Sequence, residues 1–176
     1  MPKLIPELKQ KIIAAARHRA LADEGCELTI RQVAADCGVS VGAVYNYFPS
    51  KEALLTAVMM EDWQACCQAM ESGAADRQQP LDALRASEEA LRGFTSRYAP
   101  TWTHYRATQT APMDALMQRH RMIIDSIAQA VIPTLKRFDR LFDPALPEIV
   151  AELLLMASRE PEGFNKVSPI LAKLLS

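Results

Sequence analysis

The residues with chemistry to offer gather between positions 29 and 55, which read TIRQVAADCGVSVGAVYNYFPSKEALL. Asn46 carries an amide that can pair with an adenine, and Val41 and Ala43 are sized to meet a thymine methyl group. Gly42, between them, would let the backbone come close to base edges. Tyr45, Tyr47 and Lys51 offer hydroxyls and a charge suited to phosphate oxygens. Thr29 and Ser40 stand where helix N-termini would turn N–H groups towards an anion. Such a set reads a duplex and breaks no bond. The sequence has no Gly-x-Ser-x-Gly, no His-Glu-x-x-His and no phosphate loop. His18, His104 and His120 fall on separate segments without an obvious nucleophile or metal-ligand partner. Cys26, Cys37, Cys66 and Cys67 form no CxxC pair and are expected to be reduced, mostly buried thiols. No catalysis, metal or cofactor is therefore expected.

Local signals set the elements that must hold these residues. Thr29 and Gln32 form a capping box, after which Ile30, Val33, Ala34 and Cys37 recur at i, i+3, i+4 and i+7, one buried face of a two-turn helix. Gly38 supplies the left-handed residue that ends a helix, Val39 plugs the corner, and Ser40 caps the next helix. Val44 and Phe48 face inward, Pro49 stops that helix, and Ser50 caps the one that follows. A helix, a short Gly-containing turn and a second short helix at a steep angle is the geometry that lays the second helix in a major groove. The alternative is a plain three-helix bundle with two core tyrosines. The caps, the turn, the small outward residues and the paired aromatics together favour DNA binding over it.

The remainder of the 176 residues reads as helix punctuated by Pro and Gly, with a long helix from about Lys51 to Ser72, loops at Ala99-Pro100 and Ala111-Pro112 among others, and no strand-like alternation. Met113, Leu116, Met117, Ile124, Ile127 and Val131 fall on one helical stripe, with His120 in the middle of it. The fold class is all-α, an N-terminal three-helix head on a larger helical body, with a DNA-binding domain over 1–50 and an effector-binding and dimerisation domain over 51–176. Net charge is −1, but residues up to 22 carry Lys3, Lys9, Lys11, Arg17 and Arg19 against Glu7 alone, which suits a module that touches phosphates. No apolar run approaches the roughly 20 residues of a membrane span, and the start lacks a signal core, so a cytoplasmic protein without a membrane partner is expected. A helix over Glu148–Arg159 is apolar nearly all round, and the terminal helix carries a clean stripe. Ile149, Val150, Leu153, Leu154, Val167, Leu171 and Leu174 are thus predicted to form a four-helix seam with a second copy, the alternative being a central core helix of one chain.

The run from Thr29 to Leu55 resembles the helix-turn-helix of the TetR/AcrR-type transcriptional regulators, and the likeness extends from Ile13 to Met59. Cys37 stands where that family has Ala, Arg17 stands where it usually has Ala, and the loop Gly25-Cys26-Glu27-Leu28 looks one residue short. The resemblance implies DNA contacts from Thr29, Ser40, Val41, Gly42, Ala43, Tyr45, Asn46, Tyr47 and Lys51. It also implies a homodimer on a palindromic double-stranded operator, usually a repressor, with a small-molecule effector in the body. Aromatic and methionine side chains suit an apolar pocket, so Phe94, Tyr98, Trp102, Tyr105, Met113, Met117 and His120 are the expected lining, with His120 as its polar anchor. A ligand-independent architectural DNA-binding or protein-interaction protein is the alternative, and a tightly packed body would favour it.

Overall fold

The structure is a computed structural model that describes residues 6–22, 28–108 and 113–176, with the side chains of all but 6, 21–22, 100–108, 113 and 115–116. Among the described residues every regular element is an α-helix: α1 (Pro6–Ala22), α2 (Ile30–Cys37), α3 (Val41–Tyr45), α4 (Lys51–Ala75), α5 (Pro80–Thr108), α6 (Met113–Arg137), α7 (Leu146–Ala157) and α8 (Gly163–Leu174). The chain divides into two compact units, Met1–Trp63 and Gln64–Ser176. The division lies beyond the expected one at Lys51 because Leu54 and Val58, in the first turns of α4, belong to the core of the first unit.

That first core is built from Ile12, Ile13 and Ala16 of α1, Ile30, Val33, Ala34 and Cys37 of α2, Val44 of α3, Phe48, and the two α4 residues. The caps hold the short helices at fixed angles. The Gln32 N–H donates to Thr29 Oγ1 at 3.3 Å while the Thr29 N–H donates to Gln32 Oε1 at 3.1 Å, completing the box. Gly38 adopts φ +68, and the N–H groups of Gly38 and Val39 reach the carbonyls of Ala35 and Ala34 at 3.1 and 3.0 Å. These are the paired bonds of a Schellman turn, a geometry that costs a residue with a Cβ more than glycine. Ser40 and Ser50 accept from the N–H groups of Ala43 and Ala53 at 3.2 and 3.1 Å, capping α3 and α4.

The second unit packs α5 to α8 and the later turns of α4. Leu84, Leu91, Ile127, Val131, Val150, Leu154, Val167 and Leu171 are fully or almost fully buried in it. Two expectations about helix bounds change here. α4 runs on to Ala75, past the expected stop at Ser72, and the Arg137 guanidinium closes its end by donating to the carbonyls of Ala74 (2.8 Å), Ala75 and Arg77 (2.9 Å). α5 continues through Ala99-Pro100, where a break was expected, with Phe94 and Tyr98 buried in the turns before the proline. Their burial offsets the single backbone bond that a proline removes. The expected loop at Ala111-Pro112 lies outside the described residues. Between α7 and α8, Glu162 has φ 54, and a Cβ on Gly163 would strike the carbonyl of Ala157, so only glycine fits that corner.

Candidate nucleic-acid interface

α3 is a five-residue helix with one buried side chain, Val44, backed by the buried Phe48. Its other positions turn outward. Val41 is 37% and Tyr45 49% exposed, while Gly42, Asn46, Ser40 and Thr29 are exposed as well. Ala43 is half-buried, as are Lys51 and Tyr47, and Tyr47 packs against the core of the first unit. The expected contact set therefore falls on one element and its flanks, with Tyr47 closer to the core than its spacing suggested. The N–H groups of Gln32 and Ala43 are taken up by the capping hydroxyls.

The basic character of the N-terminal stretch is largely consumed inside the unit. Arg17 forks onto α4, with Nε 2.7 Å from Asp62 Oδ1 and Nη2 2.8 Å from Glu61 Oε2, and Asp62 is buried. Arg19 forks onto Asp36 of α2 through both Nε and Nη2, the latter at 2.7 Å. Its hydrogen bonds hold the Asp36 carboxyl below the usual carboxylate range. Lys11 Nζ donates to the carbonyl of Cys37 at 3.0 Å, on the last residue of α2. Lys3 lies outside the described residues. The expectation that this run of charge touches phosphates is thus corrected for Lys11, Arg17 and Arg19, which tie α1 to α2 and α4. Arg31, exposed in the first turn of α2 beside Thr29, was passed over. Its signal was a basic residue outside the buried i, i+3, i+4, i+7 set.

In the second unit the expected effector lining separates. Phe94 and Tyr98 are buried and pack on each other with ring centroids 4.9 Å apart. Met117 is 66% exposed, and His120 is exposed too, its Nε2 donating to Glu152 Oε1 at 2.8 Å. The side chains of Trp102, Tyr105 and Met113 lie outside those described. His120 is therefore a surface residue bonded to α7, which removes it as a buried anchor. The predicted seam separates in the same way. Val150, Leu154, Val167 and Leu171 are buried within the unit and cannot meet a second chain, whereas Ile149 is 44% exposed and Leu153 and Leu174 half-buried. Met156 of α7, at 52%, and Ile170 of α8, at 49%, are exposed as well. Their positions follow from which face α5, α6 and α8 cover, a tertiary fact with no local signal. Burial pushes the Cys66 thiol up to about 12, and Cys37 and Cys67 are also raised by burial, so none is primed as a nucleophile.

Residues 12–58 match the profile of a family described as "Bacterial regulatory proteins, tetR family". The chain is 40% identical over 52 residues to YuxN of Bacillus subtilis (strain 168), an uncharacterized HTH-type transcriptional regulator. That stretch is 29% of this chain and spans 18% of the length of the curated relative. Among solved structures, a Rhodococcus sp. protein assigned to the TetR family is similar at TM-score 0.65 and 19% identity, covering 98% of this chain and 100% of its own. A transcriptional regulator from Cytophaga hutchinsonii ATCC 33406 gives TM-score 0.63 at 16% identity, covering 94% of this chain and 93% of its own. The multidrug binding protein EbrR, solved with imidazole, gives 0.61 at 17%, covering 98% and 92%. At these identities the structural likeness bears on the fold: a TetR-type helix-turn-helix head with a larger helical body.

Proposed function

We propose that this chain, a TetR-type regulator by the profile of its head and the fold of its whole length, binds a palindromic operator as a homodimer and is released by a small-molecule effector. The observation that carries the reading is the outward face of α3, where Val41, Gly42, Tyr45 and Asn46 stand exposed on a helix pinned by a Schellman turn and a serine cap. Small residues at the start of such a helix can reach base edges, and Asn46 can pair with an adenine. Thr29, Ser40, Ala43, Tyr47 and Lys51 flank that face, and Arg31 joins them as a phosphate contact. The head is taken as 1–50 and the body, which begins with α4, as 51–176.

The dimer is supported by α7, whose outward residues Ile149, Leu153 and Met156 remain apolar after its other face is buried. A helix apolar on both sides has a use for a second partner. The effector rests on likeness to EbrR, described as a multidrug binding protein, and repression rests on the family's usual sense. His120 is not part of the effector site in this reading. Footprinting on genomic DNA, with and without a panel of metabolites and drugs, tests the proposal. It should give a two-fold symmetric protected site whose protection some compound abolishes. Uniform, sequence-independent binding would leave the architectural alternative in its place.

A further inference from the structure

From Gly38 to Ser50 the chain carries no charged residue and no glutamine, so the outward side of α3 offers groups of one kind. Val41 and Gly42 are exposed and Ala43 is half-buried, with Asn46 exposed one turn on from Gly42. Gly42 takes no positive φ, and a Cβ built on it would meet nothing within 4 Å beyond its own stretch of helix. Nothing inside the chain asks for a glycine that weakens a helix relative to alanine, and what it leaves is open space. The groups that read G·C pairs are cations, on guanine O6 and N7, and carboxylates, on the cytosine amine. In the head these are engaged elsewhere. Arg17 forks onto Asp62 and Glu61, Arg19 onto Asp36, and Lys11 donates to the carbonyl of Cys37. Arg31 and Lys51 stand on α2 and α4, where the reading above gives them phosphates.

We propose that the base pairs beneath α3 are A·T pairs, with thymine methyl groups against Val41, Gly42 and Ala43, an adenine edge against Asn46, and no guanine read. This rests on the operator reading given above and names its bases. The C5-methyl of thymine is the one methyl group that a base pair presents in the major groove, and small apolar side chains are what meet it. The Asn46 amide matches adenine N6 and N7. A tyrosine hydroxyl both donates and accepts, so Tyr45 adds contact without choosing between bases.

Duplexes that the full chain selects from a random pool supply the probe, resynthesised with deoxyuridine for thymidine or with 7-deazaguanine for guanine. The selected half-sites should carry adjacent A·T pairs. Uracil at a contacted position should weaken binding about fourfold, the equivalent of one buried methyl group. 7-Deazaguanine, which lacks the N7 acceptor, should change nothing in the half-site. Val41→Ser, with circular dichroism as the check on folding, should bind the thymine and uracil forms of one position alike. A uracil effect that persists at every position in both Val41→Ser and Ala43→Ser comes from the duplex rather than from a methyl contact, and overturns the inference. So does indifference of the parent to uracil, or a half-site with central G·C pairs at which 7-deazaguanine weakens binding. Equal binding to all duplexes, with no sequence selected, would instead remove the operator reading itself.

Discussion

Two outward faces of this molecule are built on opposite principles. α3 has five residues and buries one side chain, and its exposed side is small, polar or aromatic. α7 has twelve residues, is buried along one side by Val150, Ala151, Leu154 and Leu155, and remains apolar on the other. The position of α3 is set by bonds that flank it: the Schellman turn at Gly38, the Ser40 cap and the Ser50 cap of α4. α7 has no side-chain N-cap, and its place depends on the area it buries. A face that must present a few groups to base edges needs fixed angles, which hydrogen-bonded caps supply. A face that meets another apolar surface needs extent, and tolerates substitution as long as it stays apolar.

The sharpest separation of the two sides of α7 comes from truncation. Leu154→Ala, at a fully buried position, should lower unfolding stability by about 2–5 kcal/mol. Met156→Ala, on the outward side, should change monomer stability little and shift only the dimer equilibrium. Denaturant titrations at several protein concentrations would tell them apart. Equal losses from both would mean that the two sides of α7 do not differ as described.

In the head, Arg17→Ala leaves the buried Asp62 without its guanidinium partner and should cost about 1–3 kcal/mol, partial exposure of the arginine limiting the loss. Thermal unfolding of the variant checks this, and Arg17→Lys should recover only part because a lysine cannot fork onto two carboxylates. A neutral Arg17→Ala would show that caps and core alone position α1.

The smallest effect concerns Asp36, whose carboxyl is held down by Arg19 in the folded state. A depressed folded value means that the unfolded chain binds the proton more readily. The contribution is therefore present above the unfolded aspartate value, near 4, and is lost as the pH falls through the lower folded value. Asp36→Asn should destabilise slightly at pH 7 and not at all at low pH, and added salt should shrink the difference. A difference that grows on acidification would contradict the assignment.

The head was legible almost residue by residue because its signals are local. The capping box at Thr29, the left-handed Gly38, the Ser40 cap and the buried positions of α2 are each specified within a few residues, and all stand as expected. The body was legible as helices but not as faces. In α7 apolar residues recur in every direction, so periodicity could not say that Leu154 points inward and Met156 outward. His120 fell on an apparent apolar stripe, yet residues 117–122 of α6 are exposed, and burial is seen from Ile124 on among the described residues. Long-range pairs were invisible as well. Arg17, read only as a departure from the family's usual Ala, is a fork onto α4 placed forty-odd residues further along the chain.

Binding-site selection from random duplexes tests most directly whether α3 reads sequence, with the parent, Ala43→Ser and Lys51→Ala compared side by side. Lys51→Ala should keep the preferred site, bind it more weakly, and lower the salt slope by about one unit, since a phosphate contact carries no sequence information. Ala43→Ser should change which bases are preferred within each half-site, a wrong base there costing about 1–3 kcal/mol. If Ala43→Ser selects the same duplexes as the parent with the same ranking, α3 does not enter the groove as proposed.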